Sequence, residues 1–311
     1  MSEISVRPMQ ERDLEAADRI RRLAFGTFLN LPEPAKMFGD IDHVYSRFAA
    51  EPSWAFVAER DGEVVGSNFA VRWGSYGFFG PLTVHPELWD AGVGGLLVAP
   101  VVDLFDQWGV RQAGLYTFPN SLKHLGLYRK FGFWPQFLTP IMSKASTPSD
   151  VSYTTYSQLA DDARERVLEE SRQLTSQVFA GLDVSHEIRY TQAQGLGDTV
   201  LLRSGETLTA VAVCHVNAGE AGSGVCYVKF GAALPVVSAA QVFEQMLAAC
   251  EDLAHRRDAA TVSAGINAAR EDACRRMIAR GYRAIGGGVI LQRPNQPGYC
   301  RPDVYVVDDL R

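Results

Sequence analysis

Several things are absent from this sequence, and each absence removes a class of function. No apolar run is long enough to span a bilayer, and the opening MSEISVRPMQERD has no apolar core of the secretory kind. A cytoplasmic chain, away from any membrane, is the expectation. Basic residues are not in excess: 30 Lys and Arg stand against 36 Asp and Glu, so a nucleic-acid partner is not expected. Cysteine is scarce. Cys214, Cys226, Cys250, Cys274 and Cys300 all fall in the second half, are odd in number and form no C-x-x-C pair. That spacing predicts reduced structural thiols, with no disulfide framework and no metal site. No G-x-x-x-x-G-K-[ST] occurs, which excludes a P-loop. No G-x-G-x-x-G follows the first strand of a βαβ unit, so a dinucleotide site fits poorly.

What is present reads as an ordinary globular α/β chain. At 47% hydrophobic and 21% charged, its 311 residues are enough for roughly two domains, each burying a core without metals or disulfides. Ile4–Pro8 reads as a strand, and Asp13 as the cap of a helix carrying Ile20, Leu23 and Ala24 on one face. Trp54–Glu59 and Glu63–Ala70 read as a hairpin turning at Arg60-Asp61-Gly62. Tyr76–Val84 is predicted as one strand, followed by a helix over Val93–Trp108 with Pro100 inside it. A strand over Gln112–Phe118 and a helix over Leu122–Phe131, stopped by Gly132, come next. Phe133–Lys144 is expected to close this first sheet.

The second half gives strands at Asp198–Arg203, Thr207–Val216 and Gly224–Phe230. A helix over Ser238–His255, a strand at Thr261–Gly265 and a helix over Arg270–Arg280 follow. Ala284–Gln292 and Asp303–Val307 are further strands, and Gly286-Gly287-Gly288 predicts a bulge or bend. From the hairpins onward the halves run in the same order, which reads as a weak internal repeat. The expected division is residues 1–145, a polar linker at 146–152 with sequence STPSDVS, and residues 153–311.

VHPELWDAGVGGLL, Val84–Leu97, raises the functional question. Three glycines crowd a strand-to-helix junction. A helix N-terminus offers unpaired N–H groups and partial positive charge, and glycine lets a phosphate approach. Alone, the same glycines also fit a plain tight turn.

The stretch resembles the pyrophosphate loop of the GNAT superfamily of N-acetyltransferases, V-x-P then [Q/R]-x-x-G-x-[G/A]. Val84, Pro86, Gly92 and Gly94 match, while Trp89 stands where Gln or Arg is usual. NSLKHLGLYRKFGFW, Asn120–Trp134, is similar to the family's later motif. The resemblance covers about residues 4–144. It implies tandem GNAT-like domains, each a mixed, mostly antiparallel sheet flanked by helices. It also implies acetyl-CoA, or another acyl-CoA, as co-substrate, and the amine of a small molecule or peptide as acceptor. The alternative is a protein that binds acyl-CoA without transfer.

By this resemblance the backbone of Leu82, Thr83 and Val84 lies beside the pantetheine. Trp89, Asp90, Ala91, Gly92, Val93, Gly94, Gly95 and Leu96 cradle the pyrophosphate, Asn120 meets the pantetheine arm, and Tyr128 protonates the leaving sulfur. The base is not evident, since Tyr76–Val84 carries no Asp or Glu. His85 and His124 are candidates, each equally readable as a surface or capping histidine. Phe28, Phe38 and Asp42 are candidate acceptor contacts, with Phe25, Asp40 and His43 nearby. In the second half no Gly-x-Gly precedes the helix, and Met277 stands where Tyr128 does. That half is expected to have lost acyl-CoA binding. It would then complete the acceptor pocket, form a homodimer surface or stabilise the first half.

Overall fold

A computed structural model describes residues 3–311. The first half runs β1 (Ile4–Pro8), α1 (Leu14–Phe28), α2 (Val44–Ala50), β2 (Ala55–Arg60), β3 (Glu63–Trp73), β4 (Tyr76–Phe79), β5 (Thr83–Val84), α3 (Val93–Trp108), β6 (Gln112–Thr117), α4 (Leu122–Arg129) and β7 (Trp134–Ala145). The second runs β8 (Thr154–Thr155), α5 (Asp161–Val178), α6 (Ser185–Ala193), β9 (Gly197–Ser204), β10 (Thr207–Val216), β11 (Val225–Ala233), α7 (Ala239–Arg256), β12 (Thr261–Gly265), α8 (Glu271–Ala279), β13 (Arg283–Arg293) and β14 (Val306–Asp308). Residues 146–153 carry no regular element.

Local chemistry accounts for most boundaries. The β2–β3 hairpin turns through Asp61 at φ 55° and Gly62 at φ 83°, a pair of left-handed residues that suits strand twist. α3 buries Val93, Leu97, Val98, Val101 and Phe105, one helical stripe, and stops at Gly109 in the left-handed conformation. α5 buries Val167, Leu168, Leu174 and Val178 in the same manner.

All the strands join one mixed sheet, ordered β1-β2-β3-β4-β6-β13-β7-β12-β11-β10-β9-β8, with β5 on β3 and β14 on β11. β4–β6 and β11–β12 are parallel pairs, and the other pairings are antiparallel. The sheet departs from the sequence expectation at its centre. β7 does not close the first half beside β6. β13 lies between them, pairing Val289 with Thr117 on one edge and with Leu138 on the other. β7 in turn pairs with β12, Met142 opposite Ala264. Each half therefore lends a strand to the other. Tyr76–Val84 is also two strands rather than one, broken at Gly80-Pro81, and α6 is a helix that the sequence did not announce. The glycine run in β13 does slip register, between Ala284 and Gly286.

Apolar clusters lie on both faces. Phe79, Val98, Val101, Phe105, Tyr128 and Phe133 pack under α3 and α4. Trp73, Tyr76 and Phe78 of the first half pack with Leu174, Leu182 and Phe230 of the second. Side chains of this size each contribute about 1.5–3 kcal/mol when buried, so this shared cluster ties the halves together.

Candidate functional site

The site begins where two strands part. β4 and β6 pair in parallel from Tyr76–Gln112 to Phe79–Leu115, and there the pairing ends. β5 stays with β3, Val84 opposite Gly66, while Tyr116 and Thr117 continue along β13. Between Phe79–Ala70 and Thr83–Ser67 the register slips by one residue, a bulge that turns the strand aside. Pro81 has no N–H to give, and the Leu82 N–H has no hydrogen-bond partner among the described residues. The edge of β5 that faces away from β3 is thus open.

The chain then enters the glycine loop. His85 starts a short turn, its Nδ1 accepting from the Glu87 N–H at 3.4 Å. Asp90 at φ 68° and Gly92 at φ 82° redirect the backbone into α3. The Gly92 carbonyl accepts from Gly95 at 3.0 Å and from Leu96 at 3.4 Å. The N–H groups of Gly92, Val93 and Gly94 have no partner among the described residues, as expected at a helix start. A Cβ on Gly94 would stand 3.1 Å from Leu127 Cδ2, so glycine there keeps α3 and α4 close.

Two side chains shape this loop. Trp89 turns back and its indole Nε1 donates to the Val84 carbonyl at 3.0 Å. The polar group of this unusual residue is therefore spent on backbone. Lys123 Nζ reaches from α4 to Asp90 Oδ1 at 2.6 Å and lies 5.8 Å from the Trp89 ring. The sequence reading passed over Lys123. The signal available was a cation next to His124 in the second motif.

α4 begins at Ser121, whose Oγ accepts from the His124 N–H at 3.3 Å; exposed Asn120 precedes it. Tyr128, 6% exposed, sets its ring 5.8 Å from Phe79, edge to face, with its hydroxyl beside Thr117 at the parting of the strands. Burial drives its pKa upward, so it holds its proton at neutral pH. His124 stacks on Phe28 at 5.1 Å, and its Nδ1 is buried with no partner. Burial, helped by the Lys123 charge, lowers its pKa and keeps the ring neutral.

Phe28 also meets Phe118 at 4.7 Å, and Phe25 meets Phe38 at 5.2 Å. Phe38 sits at φ 74°, a costly conformation for a bulky residue, with the Arg21 guanidinium 4.4 Å above its ring. These rings and His124 form one partly exposed aromatic wall. Asp42 does not join it: its carboxylate accepts from the Tyr45 and Ser46 N–H groups at 2.9 and 2.8 Å and caps α2. Asp40 is held by the Ser223 N–H of the second half at 3.0 Å. His43 is partly buried, with Nδ1 3.0 Å from Arg21 Nη1.

Below the strand parting lies a buried ion cluster that the sequence did not reveal. Arg47 donates to the Gly80 carbonyl and, through Nε at 2.8 Å and Nη2 at 2.9 Å, to Glu220. Lys229 joins Glu220 at 2.9 Å and Glu187 at 3.0 Å. Burial disfavours the Glu220 carboxylate, yet Arg47 and Lys229 outweigh it and hold its pKa well below the usual range. Among the described residues no group of three or more acidic, His or Cys side chains is placed to hold a metal, and no helix is long and apolar enough to cross a membrane.

Against known proteins, the acetyltransferase (GNAT) family pattern matches residues 17–133. The fold is similar to a Pyrococcus horikoshii protein provisionally named an acetyltransferase, with 12% identity over 98% of this chain and 94% of that one, at a TM-score of 0.70. It is also similar to a GCN5-related N-acetyltransferase from Sphaerobacter thermophilus, with 15% identity over 95% and 96% of the two chains, at a TM-score of 0.59. A GCN5-related N-acetyltransferase from Anabaena variabilis matches at 14% identity over 94% and 72%, with a TM-score of 0.56. Identities this low speak for the fold alone. Comparison with curated proteins gives no match.

Proposed function

We propose, from the match of the acetyltransferase (GNAT) family pattern to residues 17–133, that this chain is an acyl-CoA-dependent N-acyltransferase. It would pass an acetyl group to a primary amine of a small molecule or peptide. The observation that carries this reading is the open edge of β5 running into unpaired amides at the head of α3. An extended arm bearing amides can add to a strand edge, and a diphosphate suits a helix N-terminus.

Bound acyl-CoA supplies the activated thioester. Leu82, Thr83 and Val84 align its arm, with Asn120 beside it. The free amides of Gly92, Val93 and Gly94 hold the diphosphate, Gly95 and Leu96 close the first turn of the helix behind them through the Gly92 carbonyl, and Trp89, Asp90 and Ala91 set the turn. Lys123 adds positive charge. The Leu82 N–H faces the carbonyl oxygen as charge gathers there. The amine nitrogen bonds to the carbonyl carbon and the carbon–sulfur bond breaks. Tyr128 gives its proton to the departing sulfur, and His124 Nδ1 takes the proton that the amine sheds. His124 suits this role because it is neutral, has a free nitrogen, and lies one turn before Tyr128 on the same helix. The Nδ1 of His85 is tied to the turn instead.

The acceptor wall of Phe25, Phe28, Phe38 and Phe118 is apolar. The carboxylates near it, Asp18, Asp40 and Asp42, are already paired or capping. An amine on an apolar body therefore fits better than a polycation. The test is thiol release from acetyl-CoA across an amine panel running from phenylalkyl amines to polyamines. Release with apolar primary amines is expected. Binding of acetyl-CoA with no release for any amine would sink the transferase reading and favour a non-catalytic binder.

A further inference from the structure

The pairing registers of the two halves superpose by simple counting. β4 meets β6 at Phe79–Leu115 and β3 at Phe79–Ala70. β11 meets β12 at Val228–Ala264 and β10 at Val228–Cys214. Val84 opposite Gly66 in the first half then corresponds to Ala233 opposite Ala210 in the second, and both pairs are present. The one-residue slip recurs, at Val213/Cys214. Counting on, Ser121 at the head of α4 corresponds to Arg270 at the head of α8, and Tyr128 corresponds to Met277.

Under this correspondence, the open edge at Pro81–Thr83 maps onto Phe230–Ala232. That edge is not open. β14 lies on it, with Phe230 opposite Asp308, Gly231 opposite Val307 and Ala232 opposite Val306, and the Ala233 N–H reaches the Tyr305 carbonyl at 3.0 Å. The other edge of β11 is already taken by β10 at the same residues, so β14 occupies the side toward β12. The segment is clamped. Arg270 donates to the Val306 carbonyl at 2.9 Å and to Asp308 at 3.0 Å, and the Tyr299 hydroxyl donates to Asp308 at 2.6 Å. Val306, Val307 and Asp308 are fully buried. A Cβ on Gly231 would come within 3.0 Å of Val307 Cγ2, so glycine there admits the strand. The phosphate loop is also shortened, from residues 85–92 to residues 234–238, and holds no glycine.

We propose that β14 takes, in the second half, the place that the arm of acyl-CoA takes in the first. The second half is closed to acyl-CoA by the protein's own backbone, and the chain binds one acyl-CoA. This rests on the transferase reading of the first half. The same strand addition serves a ligand on one side and the fold on the other. Arg270, at the head of α8, has become the anchor of the filling strand.

The test uses the full chain with saturating acetyl-CoA. Native mass spectrometry counts ligands, and hydrogen exchange locates them. One acetyl-CoA per chain, with added protection over residues 82–96 and none over 229–238 or 305–308, is the expected result. Two per chain, or protection changes over 229–238 with faster exchange over 305–308, would overturn the assignment while leaving the first-half site standing. No bound acetyl-CoA would remove the reading beneath it, and the inference with it.

Discussion

Arg47 and Glu220 lie 173 positions apart and share two buried hydrogen bonds, Nε to Oε1 at 2.8 Å and Nη2 to Oε2 at 2.9 Å. The same guanidinium donates to the Gly80 carbonyl, at the break between β4 and β5. A carboxylate of the second half thus holds the residue that supports the parting of the strands in the first. Glu220→Ala would leave Arg47 buried without a carboxylate and Lys229 with Glu187 as its one remaining partner. A loss of about 3–5 kcal/mol in urea unfolding is expected, with Glu220→Gln losing less because it keeps an acceptor. A loss under about 1 kcal/mol would mean that the cluster is hydrated and does not tie the halves.

Histidine burial gives a pH dependence. His215 is fully buried, and burial, followed by the Lys229 charge, lowers its pKa to about 4. The unfolded chain binds this proton at about 6.5. Its contribution to stability is complete above pH 6.5 and is lost as the pH falls from there toward 4, by about 3 kcal/mol in all. His43 shifts in the same direction. Urea midpoints should fall steadily from pH 7 to pH 4.5, and His215→Gln should flatten the slope. A flat profile in the wild type would contradict the burial argument.

Tyr128→Phe separates chemistry from packing. The ring keeps its contact with Phe79 and loses only the hydroxyl beside Thr117. A fall in kcat of about 10²–10⁴, with an unchanged KM for acetyl-CoA and an unchanged melting temperature, is expected for the loss of a general acid. An unchanged kcat would make Tyr128 a core residue.

Lys123 is half exposed and pairs with exposed Asp90. Lys123→Ala should cost the fold less than about 0.5 kcal/mol. Affinity for acetyl-CoA should fall roughly three- to tenfold, the worth of one partly screened charge. The loss should shrink in high salt, where the charge is screened in the wild type too. Equal affinities at low salt would place Lys123 outside the phosphate site.

Local signals in the sequence were readable because their causes are local. Asp61-Gly62 dictates a turn, Gly92 and Gly109 bound α3, and the two motifs around Gly94 and Tyr128 place the open edge and the helix beside it. What was not readable depends on partners distant in the chain. The alternation in Phe133–Lys144 and Ala284–Gln292 marks strands, but it does not say that β13 inserts beside β6. Arg47, Glu187, Glu220 and Lys229 look like surface charges until separate segments bury them together. α6, SHEIRYTQA, is too polar to announce a helix, because it buries Glu187 and Thr191 along with Ile188 and Tyr190. Asp42 stands just before a helical run, where an Asp is a capping signal as well as a candidate acceptor contact, and its carboxylate accepts from the Tyr45 and Ser46 N–H groups.

The most direct test of the account is calorimetric titration of acetyl-CoA into the wild type, Gly94→Ala and Gly94→Glu. Alanine displaces Leu127 by a few tenths of an ångström and adds no charge, whereas glutamate sets a negative charge among the unpaired amides. The account predicts binding to the wild type, a modest loss with alanine and abolition with glutamate. Binding that survives Gly94→Glu, or no binding to the wild type, would contradict the assignment of residues 82–96 as the acyl-CoA cradle.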